Sequence, residues 1–457
     1  MDIEADLVVI GAGMAGLVAG TIAAEAGLNT VLLRKGQSAT AYSSGAIDVI
    51  GYVPEASEAF ASPEEGLFIL SRLYPLHPYS IIGYDDRIET EKIVDTIIER
   101  ARETVSWLKT HLDGTLAPLD GEFDSNIHPI TILGTTKPTC LIQKTMNSGN
   151  LTDREDSVLL FVGISGYADF NPSAAAQTYL EDRMSTGSSP RKVAHCVVQV
   201  MPFGKSYNLS SIELARHLDH EGSIESIAEQ LKEHIEQVGA THVAFPPILG
   251  IQNALRNKTK LEEMTGTTVF ELLGFPPSIP GQRLQKSLET IFVKSGGKLL
   301  LGHEATSYQR EGDVLKSIIA TTPRRQIKID AKAFLLATGK YIGGGISGDE
   351  NGLKETVFGL MPVTGDYHSA TDIVPSRSTS TLSISPMGQP IQSCGLSVDP
   401  EFRPVTEVGT EWVVNLFAAG AVLAGYNYSI EKSGLGVAAT SGYNAAKNIV
   451  ALIKEVP

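Results

Sequence analysis

The chain has 457 residues, of which 42% are hydrophobic and 19% charged, so it is long enough for two domains with large cores. Its net charge of −15 and its scattered basic residues exclude the basic surface that nucleic-acid binding requires. The 44 glycines direct attention to loops whose backbone could approach a ligand.

The opening segment predicts one β-α-β unit: LVVI is a short apolar strand, GAGMAG a turn, LVAGTIAAEAG a helix and NTVLL a second strand. Gly11, Gly13 and Gly16 form the pattern G-x-G-x-x-G between strand and helix. The first permits a tight turn, the second lets backbone approach a phosphate, and the third lets the helix pack closely. We therefore expect a nucleotide cradle that also includes Met14 and Ala15, against the alternative of a tight connection without a ligand.

The second strand ends in TVLLRKG, where a dinucleotide-binding protein normally has an acid that accepts hydrogen bonds from the adenosine ribose. Arg34 cannot accept such bonds. With Lys35 beside it, a guanidinium favours a phosphate, either that of FMN or the 2′-phosphate of NADP. The alternative is that both side chains point to solvent at a strand end. In the hydroxyl-rich segment that follows, Gln37, Ser43, Ser44 and Gly45 are further candidates for contact with a cofactor.

The middle of the chain predicts a second α/β domain. Residues 62–112 have helical periodicity and residues 113–152 are irregular and polar, whereas from 158 to about 275 strands alternate with helices, the rhythm of parallel βαβ crossovers. We therefore predict an α/β fold, a Rossmann-like flavin-binding domain with a parallel sheet into which a second α/β domain is inserted. The predicted segments are 1–75 (flavin-binding, first part), 76–270 (inserted domain), 271–345 (flavin-binding, second part), 346–399 (cap or loops) and 400–457 (flavin-binding, C-terminal part).

The last third of the chain returns to cofactor-binding features. FLLATG and FAAG each place an apolar strand before a small-residue turn, which makes Thr338, Gly339 and Gly420 candidates for close approach to a cofactor. The segment SGLG then opens a helix whose first amides are expected to face a ligand. Its candidate residues are Ser433, Gly434, Leu435 and Gly436.

Cysteine and histidine usage favours no metal site. Cys140, Cys196 and Cys394 are far apart without a C-x-x-C pair, and His217 and His220 are expected on a helix surface. The acidic start MDIEAD lacks the basic region of a secretory signal, and no apolar stretch approaches the length that spans a bilayer. We expect a cytoplasmic protein, with any contact at the inner face of the cell membrane made through a partner subunit.

Together these segments resemble the flavin-dependent oxidoreductases of the fumarate reductase and aspartate oxidase type. GQSATAYSSGAIDVIG, HPYS, VGISGYADF, IELARHLD and FPPSIPGQRLQKSL are more closely similar to the B subunits of anaerobic glycerol-3-phosphate dehydrogenases, and the similarity runs nearly end to end. The resemblance implies FMN, with FAD as the alternative. It also implies a catalytic FAD subunit and an iron–sulfur subunit as partners, and electrons passing from glycerol 3-phosphate, oxidised to dihydroxyacetone phosphate, towards membrane quinone.

Three functions remain open at this point. The first is an electron-relaying flavoprotein subunit. The second is a self-sufficient FAD-dependent dehydrogenase of a small anionic substrate, with Arg283 or Arg216 binding the anion and His77 or His368 moving a proton. The third is a non-catalytic assembly subunit. Tyr426-Asn427-Tyr428 stands where self-sufficient relatives often have a His- or Arg-bearing loop, which favours the first.

Overall fold

The computed structural model describes residues 2–54, 56, 58–83, 89–152, 156–185, 192–364, 379–380, 382, 385, 388–406 and 411–455. The chain forms two compact units. The first comprises Met1–Ala39, Ile47–His111 and Leu288–Pro457, and the second comprises Thr40–Ala46 and Leu112–Ser287.

The strands in the described part of the chain are β1 (Asp2–Ile10), β2 (Thr30–Arg34), β3 (Leu119–Asp120), β4 (Ile142–Gln143), β5 (Leu159–Ile164), β6 (Val193–Val198), β7 (His242–Phe245), β8 (Thr268–Glu271), β9 (Lys298–Leu301), β10 (Glu304–Glu311), β11 (Val314–Thr322), β12 (Arg325–Leu336), β13 (Ile346–Asp349), β14 (Gly352–Glu355) and β15 (Leu416–Ala418). The α-helices are α1 (Met14–Glu25), α2 (Ala39–Tyr42), α3 (Pro63–Leu73), α4 (Pro78–Ile82), α5 (Thr90–Leu112), α6 (Pro172–Ser185), α7 (Ser211–Leu218), α8 (Ser223–Val238), α9 (Ala254–Thr265), α10 (Ile279–Lys294), α11 (Tyr428–Glu431) and α12 (Gly434–Glu455).

The first unit is built on a mixed sheet in the order β10-β11-β12-β1-β2-β9, with β15 also paired to β12. β1 is parallel to β2 and β12, and β15 is parallel to the last part of β12. Leu7, Val8, Val9 and Ile10 are buried, as expected for a central parallel strand covered on both faces. β10 and β11 form an antiparallel meander with the first part of β12.

Helices α1 and α12 pack closely on each other because small residues face each other. A Cβ at Gly442 of α12 would lie 2.4 Å from the carbonyl oxygen of Ala15 in α1. On α1, a Cβ at Gly20 would meet the ring of Phe292, which belongs to α10, at 3.0 Å. The glycines let both neighbours of α1 approach its backbone.

The second unit holds a parallel sheet in the order β6-β5-β7-β8, which is a doubly wound arrangement. Its core joins the strand interiors to the apolar faces of helices such as α8, whose C-cap Gly239 has the left-handed conformation. The predicted fold class, α/β with parallel sheets and a Rossmann-like first unit, is confirmed. The five predicted segments stay a prediction; residues 90–111, assigned there to the inserted domain, cluster with the first unit.

Candidate functional site

The glycine loop after β1 adopts a conformation that only glycine fits. Gly11 has φ +118°, and a Cβ there would lie 2.2 Å from the carbonyl oxygen of Ala337. A Cβ at Gly16 would lie 2.0 Å from the carbonyl oxygen of Gly11. Gly13 is the N-cap of α1 and offers no side chain to its first amides. A helix start without a side-chain cap suits an anionic ligand such as a diphosphate.

The ends of the neighbouring parallel strands align with this loop. The amide of Gly11 donates to Leu33 O, that of Ala337 to Ile10 O, and that of Ala419 to Leu336 O. The carboxyl ends of β2, β1, β12 and β15 therefore lie side by side, at the edge where doubly wound folds bind nucleotides.

Thr338, at the end of β12, has a buried Oγ1 without a hydrogen-bond partner among the described residues. Gly339 follows with φ +76°, and a Cβ at Gly345 would lie 2.4 Å from that Oγ1. At the end of β15, Gly420 has φ +81° and a Cβ there would lie 2.8 Å from the Cβ of Ala15. An orphaned hydroxyl and glycine-only turns beside the glycine loop fit a bound nucleotide.

The first amides of α12 differ in whether they have a hydrogen-bond acceptor within the protein. The amide of Gly436 donates to Asp48 O at 3.0 Å, and a Cβ at Gly436 would lie 2.6 Å from the hydroxyl of Tyr79. The amide of Gly436 therefore already has a main-chain acceptor, and a contact of Gly436 with a cofactor stays a prediction. For the amides of Gly434 and Leu435 the described residues provide no acceptor, so these two remain candidates.

A buried hydrogen bond between a histidine and a carboxylate lies directly before this helix. Nε2 of His77 lies 3.1 Å from Glu431 Oε2, with both side chains at most 5% exposed, and Nδ1 of His77 accepts from the amide of Tyr79. Glu431 also accepts from the amide of Asn427 and from Ser433 Oγ. Burial raises the pKa of Glu431, but attraction to His77 and the hydrogen bonds outweigh it and hold that pKa below its ordinary value.

Lys340 follows Gly339 and is buried. Its Nζ donates to Gln392 O at 2.6 Å and lies 5.3 Å from the ring centroid of Tyr426. Burial lowers the pKa of Lys340 to about 8, although Cys394 and Glu431 favour the charged form. The hydroxyl of Tyr426 is buried and has no partner among the described residues. Sequence reasoning did not identify Lys340 or Glu431. Their only signal in the sequence is their position, since Lys340 directly follows Gly339 and Glu431 lies three residues before Gly434.

The cationic pair at the end of β2 is engaged by protein carboxylates. Nη1 of Arg34 lies 2.7 Å from Glu289 Oε1, its Nε donates to Gly36 O, and Gln37 accepts from its Nη2. Nζ of Lys35 lies 2.6 Å from Glu304 Oε1 at an exposed site. Both charges are thus balanced within the chain, and a phosphate-binding role for Arg34 and Lys35 stays a prediction.

In the second unit, Ser43, Ser44 and Gly45 form a tight turn. Ser43 Oγ donates to Thr40 O and accepts from the amide of Gly45, while Ser44 Oγ lies 3.5 Å from the amide of Ala46. Gly45 has φ +80°, and a Cβ there would lie 2.5 Å from the amide nitrogen of the Gln143 side chain. The hydroxyls of this turn therefore already have local hydrogen-bond roles.

The candidate catalytic residues differ in their settings. Arg283 is fully buried, with Nη1 2.6 Å from Glu271 Oε2 and Nε donating to Gly250 O, the geometry of a structural ion pair. Arg216 is exposed on α7. His368 lies outside the described residues. A substrate role for any of them stays a prediction.

The described residues contain neither a helix long and apolar enough to cross a bilayer nor a cluster of three or more potential metal-binding side chains. Their three cysteines are buried and unpaired by disulfides.

Comparison with known proteins identifies relatives that match nearly the full length of the chain. The family model described as "FAD binding domain" matches residues 6–437. The B subunit of an anaerobic glycerol-3-phosphate dehydrogenase from Aliivibrio fischeri strain ES114 is 30% identical, covering 97% of this chain and 95% of the relative. A protein of the same name from Vibrio cholerae strain N16961 is 31% identical, covering 98% and 96%. A solved 3-ketosteroid Δ1-dehydrogenase from Sterolibacterium denitrificans is 10% identical with a TM-score of 0.43, covering 98% of this chain and 100% of that one, a likeness too low to carry an argument.

Proposed function

Because the chain belongs to the FAD-binding-domain family of flavin-dependent oxidoreductases and to the group of B subunits of anaerobic glycerol-3-phosphate dehydrogenases, we propose that it is the flavin-binding subunit of such an enzyme. In this role it relays electrons from the oxidation of glycerol 3-phosphate to dihydroxyacetone phosphate towards membrane quinone. The observation that carries the proposal is the glycine-only loop at Gly11, set at the carboxyl edge of a parallel sheet in a chain that matches these subunits nearly end to end.

The chain's own residues have defined tasks in this proposal. The loop Gly11–Gly16 and the start of α1, which has no side-chain cap, would hold the diphosphate, and Thr338 Oγ1 would supply a hydrogen bond that no described residue uses. The amides of Gly434 and Leu435 would donate hydrogen bonds to the flavin ring. When bound, the flavin supplies the capacity to accept and pass on electrons.

We propose FAD as this flavin. Sequence reasoning expected FMN, but the matching family model is described as an FAD binding domain and gives FMN no support. The expectation of FMN came from the resemblance, and the missing acid at position 34 agreed with it. The ion pair between Arg34 and Glu289 weakens that agreement, since it brings an acid to the same strand end.

The proposed partners are a catalytic FAD subunit and an iron–sulfur subunit, through which the complex reaches the membrane. The relatives are named as one lettered subunit of a larger enzyme, which supports an assembly with other chains. The self-sufficient dehydrogenase is the second candidate, and the buried pair His77–Glu431 beside Ser433 is the observation that favours it.

One experiment separates these functions. The chain is purified alone, its cofactor is released by heat and identified by mass, and dye reduction by glycerol 3-phosphate is measured with and without the co-expressed partner subunits. We expect FAD in near-stoichiometric amount, and turnover only with the partners. Turnover by the chain alone would favour the self-sufficient dehydrogenase, and a folded chain that takes up no flavin would leave the assembly subunit.

A further inference from the structure

A buried lysine lies at the carboxyl edge of the first unit's sheet. Strand β12 ends at Leu336, and Lys340 follows shortly after it, directly behind the left-handed turn at Gly339. Lys340 is 5% exposed, and its carbonyl oxygen accepts from the amides of Gly345 and Ile346, which fixes its backbone. Because a buried lysine is rare, its ammonium group indicates a place where the protein uses a positive charge.

The ammonium group of Lys340 has few partners within the protein. An ammonium carries three N–H donors, and in the described part of the chain only Gln392 O accepts from Nζ, at 2.6 Å. The ring centroid of Tyr426 lies 5.3 Å from Nζ. The hydroxyl of Tyr426 is itself buried and has no hydrogen-bond partner among the described residues. These two neighbouring side chains therefore offer donors to a ligand that accepts hydrogen bonds.

The groups around Lys340 leave one opposing charge. Cys394 and Glu431 interact electrostatically with Lys340, whose pKa burial lowers to about 8, so the lysine is mostly charged at pH 7. Burial raises the pKa of Cys394 and that of Tyr426, so both are neutral there. Glu431 has a lowered pKa and is ionised, and its carboxylate is hydrogen-bonded to His77. A buried cation and a buried anion therefore share this cluster.

The cluster connects two elements that would hold the flavin. Lys340 directly follows Gly339 in the turn after β12, whereas Glu431 lies just before Gly434, the first residue of α12. Ser433 Oγ donates to Glu431, which ties the acid to the start of that helix. A flavin gains electron density on its polar ring edge when it is reduced, and a buried positive charge nearby stabilises that density more than an exposed one does.

We propose that Lys340 raises the reduction potential of bound FAD by placing a buried positive charge beside the flavin, and that Glu431 moderates this effect. The inference rests on the proposed flavin-binding function and deepens it. Lys340 acts through its charge, by favouring binding of the reduced over the oxidised cofactor. The two side chains together therefore set how readily the chain accepts electrons from a partner.

The test measures the two-electron potential of the FAD-loaded chain at pH 7 by slow reduction beside a reference dye. Lys340→Met should lower the ratio of the affinities for reduced and oxidised FAD about 10- to 100-fold. This corresponds to a potential about 30–60 mV lower, since a tenfold change in a two-electron equilibrium is about 30 mV. Glu431→Gln keeps the shape and removes the opposing charge, so it should shift the ratio the other way, about 3- to 10-fold.

Lys332→Met is the matched control. Lys332 lies on the same strand, β12, but its side chain is 64% exposed and pairs with Asp6, so the ratio should change less than twofold. A potential that Lys340→Met leaves unchanged or raises would overturn the role of Lys340. Equal lowering in Lys340→Met and Glu431→Gln would also overturn it, because a general disturbance of the site has no dependence on the sign of the charge. A folded wild type that takes up no FAD would overturn this inference together with the proposed function.

Discussion

At the scale of single residues, Gly11 is the position of the site where a side chain is least tolerated. Gly11 combines φ +118° with a carbonyl oxygen 2.2 Å from where a Cβ would be. Gly27, at the other end of α1, has φ +87° but no atom within 4 Å of such a Cβ. The two glycines therefore share the left-handed backbone and differ only in the space around it.

The variant Gly11→Ala is expected to lose about 2–5 kcal/mol of unfolding free energy, from strain plus a clash with rigid backbone, and to be purified without flavin. Gly27→Ala should lose only about 1 kcal/mol and keep its flavin. Urea denaturation and the ratio of flavin to protein absorbance measure both effects. If Gly11→Ala keeps its flavin and is no less stable than Gly27→Ala, the glycine loop after β1 does not bind the flavin.

Lys340 gives stability a pH dependence. Its pKa is lowered from about 10.5 to about 8 because burial disfavours the ammonium form. Between these values the folded state binds fewer protons than the unfolded state, so stability rises with pH through this window. Below pH 8 the Lys340 side chain is charged in both the folded and the unfolded state. Burial of this charge then lowers the free energy of unfolding by its full cost, on the order of 3 kcal/mol.

Replacing Lys340 with Met should therefore stabilise the protein below pH 8, by roughly 2 kcal/mol once the lost hydrogen bond to Gln392 is subtracted. The advantage should fade as pH approaches 10.5. Urea denaturation of both proteins at several pH values checks this. Lys316→Met, at a half-exposed side chain, is the control and should show no such trend. A difference that is constant with pH would contradict the assignment.

At the scale of elements, the strand–helix order could be predicted because periodicity and glycine position are local signals. The β1-loop-α1-β2 unit and the alternation of strands and helices from β5 to β8 follow from them. Strand β10 could not, because it is mostly exposed and its residues, such as Glu304 and Gln309, carry no strong apolar signal. Glu289 reaches Arg34 only through tertiary packing 255 residues away, which no spacing in the sequence reveals.

Asp219, just after α7, fixes the start of α9 in the second unit. Its carboxylate accepts from the amides of Ile251, Gln252 and Asn253, and Asn253, the N-cap of α9, has no side-chain cap bond of its own. One carboxylate thus anchors the turn that leads into α9 through three consecutive amides.

Asp219→Ala is expected to cost about 2–4 kcal/mol, since three amides, two of them in half-buried residues, lose a charged acceptor. Hydrogen exchange should become faster at the amides of Ile251, Gln252 and Asn253, and urea denaturation gives the total loss of unfolding free energy. Glu221→Ala removes an exposed acid nearby and should change stability by less than about 0.5 kcal/mol. Unaltered exchange at these three amides in Asp219→Ala would refute the anchoring role.

At the scale of the whole molecule, cofactor binding and folding are linked. A ligand that binds only the folded state adds about 2.7 kcal/mol at a concentration of 100 times its Kd. We expect the Tm of the flavin-free wild type to rise by a few degrees with FAD and less with FMN at the same concentration. Gly11→Ala should show no rise with either flavin. Scanning calorimetry measures these shifts. A wild-type Tm that does not change when FAD is added would count against a flavin site.

The first unit is assembled from three separated pieces of chain, and this has a consequence during protein synthesis. β1 leaves the ribosome first, but β12, which pairs with it from Asp2↔Lys328 onward, emerges more than 300 residues later. At about 5–20 residues per second, the apolar LVVI strand waits on the order of tens of seconds for this neighbour. Most of the second unit, Leu112–Ser287, is continuous and can fold during that interval. β1 therefore lacks one of its two neighbours during that time, and the edge that receives the coenzyme is complete only after β12 and β15 have emerged.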